Sequence, residues 1–189
     1  MRKLFLLLTL FAVGSLSAQG NGDYVNMSFI KTTPGEDYFT ILNEKWKDLA
    51  QMRANDGTIT GWDVWVNPWA TSESDWNIMI ATVAKHPDSL NANAGVPKMR
   101  PDYSDMDVEI FSQKNIKART IVHDHLFVNK GLVFPGNDGG TPVVPRVAVL
   151  NLMKVGYTDG FNYEKGENNL TNEASLGNRA GWGLLKRLD

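Results

Sequence analysis

Cysteine is absent from all 189 residues. Its absence excludes a disulfide framework, a lipid-bearing cysteine anchor and thiol catalysis, so the folded chain must be held by its apolar core. Clustered basic residues are missing too. Phosphate neutralisation needs Lys and Arg gathered in a run or stripe, and without one nucleic acid is not an expected partner. Neither Gly-x-Ser-x-Gly nor a glycine loop followed by Lys-Ser or Lys-Thr occurs, and the Gly139-Gly140 pair lacks the surroundings of a dinucleotide site. No apolar run beyond the N-terminal one approaches the roughly 20 residues that span a bilayer.

What is present begins with a secretory pattern. Arg2 and Lys3 precede an apolar stretch, Leu4 to Val13, broken only by Thr9, and small residues follow at Gly14, Ser15, Ser17 and Ala18. Residues 1–18 are therefore expected to be a cleaved signal peptide, with a periplasmic or secreted product that has no membrane segment after cleavage. Cleavage there leaves 17 basic against 21 acidic residues, a formal charge of −4. Six Trp, five Tyr and eight Phe exclude a disordered chain and supply a core for one medium domain or two small ones.

Along the chain, Val25, Met27 and Phe29 alternate with Asn26 and Ser28, the period of a strand. Pro34 and Gly35 break it. Between Glu36 and Arg53, Phe39, Leu42, Trp46 and Leu49 recur every three or four positions, with Tyr38, Ile41 and Met52 beside them, which predicts an amphipathic helix. Asn55, Asp56 and Gly57 end it. Strands are predicted over 59–67, with Trp62, Val64 and Val66 on one face, and over 76–83; a loop rich in Pro and Gly covers 84–101. A second helix over 102–115 carries Tyr103, Met106, Ile110 and Phe111 on one side. A strand over 119–129 then sets Ile121, His123, His125 and Phe127 against Val122, Asp124, Leu126 and Val128. The order β-α-β-β-α-β predicts an α+β fold, a ferredoxin-like unit over residues 21–130.

Residues 131–145 hold four glycines and three prolines and read as a linker. The pattern then restarts in residues 146–189. Gly177-x-x-x-Gly181-Trp182 repeats Gly57-x-x-x-Gly61-Trp62 at an offset of 120 positions, and Glu164 falls opposite Glu44. This second βαβ repeat is incomplete. Its helical stretch is interrupted by Gly160 and Gly166, each costing about 1 kcal/mol relative to alanine, and no third strand, second helix or fourth strand follows its returning strand.

The run Phe29-Ile-Lys-Thr-Thr-Pro-Gly-Glu-Asp-Tyr38, followed by Glu44-Lys-Trp46 and Gly57-x-x-x-Gly-Trp62, resembles uncharacterised exported bacterial proteins of the dimeric α/β-barrel superfamily. The likeness covers most of 24–67 and, more loosely, 146–187, where the Pro-Gly and the helical Trp are lacking. It implies ferredoxin-like sheets joined into a barrel, between chains or within one. The wider superfamily includes small monooxygenases, haem-active enzymes, isomerases and stress-induced proteins, so the fold alone selects no chemistry.

Two constellations deserve names as candidate sites. Tyr38, Glu44 and Glu164 with Trp62 and Trp182 combine carboxylates and indoles of the kind that line an apolar ligand cavity; the alternative is tryptophans packed under the helix and glutamates on its surface. His123 and His125, two apart on a strand, point the same way and could share a metal ion or flank a haem. Glu109 is a conceivable third ligand, whereas Asp124 points to the opposite face; the alternative is a histidine pair on a barrel wall. No cofactor is required by the sequence. The expected partners are a small apolar ligand, a second copy of the chain in a homodimer, or a strand-pairing partner for the unfinished repeat.

Overall fold

Residues 22–91, 102–133 and 182–188 are described by the computed structural model. β1 (Tyr24–Thr32) leads through a turn at Thr33–Glu36, in which Glu36 N–H donates to Thr33 C=O at 3.1 Å and Gly35 has φ +84°. Pro34 before a glycine with positive φ is the composition such a turn demands. Helix α1 spans residues 38–55: α-helical turns Tyr38–Ile41 and Lys47–Asn55 flank a π-helical segment, Leu42–Trp46. Asp37 caps its start, accepting from Thr40 N–H at 3.0 Å and from Thr40 Oγ1 at 2.6 Å, contacts that hold its carboxyl below the usual range. Gly57, at φ +78°, ends it as its N–H donates to Ala54 C=O.

β2 (Gly61–Val66) and β3 (Ile78–Ala84) follow, then a short 3₁₀ turn, Pro87–Leu90. Helix α2 (Asp105–Ala118) opens on a capping box: Ser104 Oγ accepts from Asp107 N–H at 3.2 Å while Asp107 Oδ2 accepts from Ser104 N–H at 2.9 Å. Two orphan amides are thereby satisfied, and Ser104→Ala is expected to lower stability by about 1 kcal/mol, read as an earlier urea midpoint with unchanged slope. β4 (Arg119–Val133) and β5 (Trp182–Arg187) complete the described elements.

All strand pairs are antiparallel, in the order β2-β3-β1-β4-β5. The first four strands of that sheet, with one helix after β1 and another after β3, make the ferredoxin-like arrangement. β1 and β3 lie inside the sheet. β4 runs on through Gly131–Val133, residues assigned above to the head of the linker, and β5 pairs with it, Val133 opposite Trp182 and Phe127 opposite Arg187. The rest of the expected second repeat lies outside the described residues.

Both helices cover one face. There Ile30, Ile78 and Ile80 from the sheet meet Tyr38, Leu42 and Ala50 from α1, and Leu49 and Trp46 meet Phe111 of α2. Trp46 Nε1 donates to buried Asn115 Oδ1 at 2.9 Å, which ties the helices together. The second face gathers Val25, Met27, Phe29, Met79, Ala81, Val83 and Phe127, all buried, with Trp65 and Trp76 against them.

Three side-chain assignments change. Phe39 and Met52, expected among the apolar residues of α1, are exposed, while Tyr38, Leu42 and Leu49 turn inward as expected and are joined by Ala50 and Arg53. The π segment adds a residue to its turn and shifts the inward stripe. Met106 and Ile110 are likewise exposed on α2, which buries Phe111, Asn115 and Ala118. On β4, Ile121 does not share a face with His123. The register places Phe29 opposite His123 but Ile30 opposite Ile121, so Val122 is an extra residue, a β-bulge that turns Ile121 toward the helices.

Candidate functional site

Between the helices and the sheet lies a cavity of about 420 Å³. Its floor is β1, β3 and β4, contributing Asn26, Ser28, Ile80, Thr82, Ile121, Asp124 and Leu126, and Trp62 stands at the β2 side. Tyr38, Trp46, Leu49, Ala50 and Arg53 of α1 form its roof, and Leu90 and Asn91 close one end. Ile121, Asp124 and Asn91 are exposed and mark where it meets solvent.

Polar residues on the floor form one group. Ser28 Oγ is 2.6 Å from Asp124 Oδ1 and 3.1 Å from Asn26 Oδ1. A hydroxyl has a single hydrogen, and the shorter contact to the carboxylate takes it. Asn26 Nδ2 also donates to Asp124 Oδ1, at 3.1 Å. This end of the cavity is thus an acceptor site.

The opposite end is cationic. Arg119, the first residue of β4, sets its guanidinium carbon 5.4 Å from the ring centre of Tyr38 and 5.8 Å from that of Trp46. Tyr38 is 1% exposed, and its hydroxyl has no hydrogen-bond partner among the described residues. Burial pushes the phenol up to about 12, with the charge of Arg119 and its N–H groups near the hydroxyl acting in the opposite direction. Tyr38 therefore carries its proton throughout the physiological range and can only donate or accept as a neutral hydroxyl. Arg53, also buried, donates to Ser89 C=O; burial lowers its basicity and the charge of Asp56 partly restores it.

Of the residues expected to line a ligand cavity, Tyr38 and Trp62 come together here. Glu44 does not join them: it is exposed on the π segment of α1. Glu164 and the side chain of Trp182 lie outside the described residues. Arg119, Asn26, Ser28 and Asp124 carry the polar chemistry and were not singled out from the sequence.

His123 and His125 occupy the second face, with near-parallel rings 5.8 Å apart and Phe29 edge-on to both. No group of three His, Cys, Asp or Glu side chains suited to a metal occurs among the described residues. Asp124, between them in sequence, indeed points away into the cavity. Asp63 lies on the histidine side of the sheet but on β2, at the far edge from β4, and desolvation pushes its carboxyl up.

No family model matches the chain. No curated protein matches it either. Among solved structures it is similar to a dimeric protein of unknown function with a ferredoxin-like fold from Bacteroides fragilis, at 12% identity, with a TM-score of 0.39 over 57% of this chain and 96% of that one.

Proposed function

We propose that this chain is an exported binding protein that holds a small, largely apolar molecule in the cavity between its helices and its sheet. One observation carries the reading: about 420 Å³ of space is lined by Trp46, Trp62, Leu49, Ile80 and Leu126, interspersed with polar groups such as Ser28, Thr82 and Arg119. A binding pocket has this composition, whereas close-packed interiors leave few voids larger than a water molecule. Export rests on the charged start, apolar run and small residues of positions 1–18. Kinship with the dimeric α/β-barrel proteins, and pairing with a second copy, extend the same reading.

The cavity is tested with the neutral fluorophore N-phenyl-1-naphthylamine. Emission should rise and saturate with wild-type protein. Thr82→Trp and Leu126→Trp each push an indole into the space and should raise Kd by roughly tenfold or more, corresponding to about 1.4 kcal/mol of lost burial. Equal affinity in wild type and both filled variants, with their folding verified by circular dichroism, would place the probe elsewhere and end this reading.

A further inference from the structure

We propose that the occupant is a carboxylate, its anionic head held by Arg119 and the Tyr38 hydroxyl and its apolar body lying against Trp46 and Trp62. This rests on the cavity being a binding site, and adds the chemical class of what it binds.

Two observations at one end of the cavity support it. The first is the hydroxyl of Tyr38, a cavity-lining residue: it is buried beside the Arg119 guanidinium, which favours its charged form, yet meets no described residue in hydrogen-bond geometry. Buried polar groups in folded proteins almost always have partners, and one left over beside open space indicates a ligand that supplies the missing bond. The second is Arg119. Its guanidinium stands over two aromatic rings, no carboxylate pairs with it among the described residues, and it lines the same space. Packing against rings occupies the face of the guanidinium and leaves its N–H edge for a planar two-oxygen acceptor.

The surrounding charges agree on which end takes the anion. Asp124 lies about four paired positions further along the strand, roughly 13 Å at about 3.3 Å per residue, so the acidic and basic ends are well separated. An anion at the Asp124 end would be repelled there. Close to Arg119 in sequence, Lys117 is already paired with Glu36 at 2.7 Å. Arg53, the other guanidinium that lines the cavity, is engaged by Ser89 C=O, so beside Tyr38 one guanidinium and one hydroxyl match the single charge of a carboxylate, whereas a phosphate dianion would call for more cations. Asp124 and the Asn26 carbonyl then remain to accept from a hydroxyl or amino group at the ligand's other end.

Calorimetric titration with 2-naphthoate and its neutral isostere 2-naphthamide tests the assignment at pH 7. Naphthoate should bind wild type about tenfold tighter or more, the margin of a charge-assisted over a neutral hydrogen bond. Arg119→Met should bring the two affinities together, while Tyr38→Phe should weaken naphthoate and leave naphthamide nearly unchanged. Arg119→Gln serves if the methionine variant does not fold. Equal binding of both probes to wild type overturns the carboxylate assignment and leaves the cavity reading standing; binding of neither overturns both. A naphthoate preference that survives in Arg119→Met and Tyr38→Phe alike also overturns it, because the anion is then recognised by other groups.

Discussion

Ile30→Ala is expected to remove about 2–5 kcal/mol of stability, whereas Ile30→Val should remove only about 0.5–1.5 kcal/mol. Ile30 is fully buried on an internal strand, beside Ile78 on one side and Ile121 on the other, under Tyr38 and Leu42. It is also the first residue past the β-bulge, where the backbone is fixed by Asn77 N–H donating to its carbonyl at 2.9 Å. A site bonded to strands on both sides cannot collapse to fill a deleted side chain, so the loss should lie toward the upper end. Domains of this size are stable by only about 5–15 kcal/mol, and the alanine variant is expected to be partly unfolded at 37 °C. Urea unfolding of the two variants decides the matter: nearly equal losses would mean that the site relaxes and that Ile30 is not held from both sides.

The element order was legible because its signals are local. Turn chemistry at Pro34-Gly35, a glycine with positive φ at Gly57, and a serine-led capping box at Ser104 each act over a few residues, and each bounds an element within a few positions of where the spacing placed it. Side-chain direction was less legible, for a physical reason. Thr120, Ile121 and Val122 are all β-branched, so either of two registers satisfies the alternation of β4, and pairing with β1 selects the bulged one. In the same way, the π segment at Leu42–Trp46 adds a residue to its turn, and Tyr38 rather than Phe39 shares the inner stripe of α1 with Leu42, Leu49 and Ala50.

The candidate site was half legible. Tyr38 and Trp62 were marked by aromatic content beside a helix, and the fold brings them to one cavity. Arg119 was hidden because it is adjacent to neither in sequence; only the antiparallel return of β4 beside β1, with Arg119 opposite Thr32, carries it under the start of α1. Asn26 and Ser28 alternate with the apolar residues of β1, and the structure leaves both half-buried on the cavity floor. On the helix side of β1 a polar side chain meets either a partner or the cavity. Here it faces both.

Tyr38→Phe should stabilise the unliganded protein while weakening carboxylate binding. Deleting the hydroxyl removes a buried group that Arg119 approaches without reaching hydrogen-bond geometry, whose desolvation costs about 1–3 kcal/mol, and leaves the ring packing in place. The same hydroxyl sets a pH signature. Its folded-state ionisation is raised to about 12 from an ordinary 10, so the folded protein holds a proton that the unfolded chain releases. Stability from this source is fully present below pH 10 and is lost as pH rises toward 12, by about 2–3 kcal/mol for a shift of two units. Lysines and other tyrosines titrate in the same window, so the quantity to measure is the difference between wild type and Tyr38→Phe in urea midpoint from pH 9 to 12. Wild type should fall faster. Arg119→Met should fall faster still, because the charge that partly favours the phenolate is gone. Parallel curves for wild type and Tyr38→Phe would mean that the phenol is hydrated in solution, and the hydroxyl would then have no unmet bond for a ligand to complete.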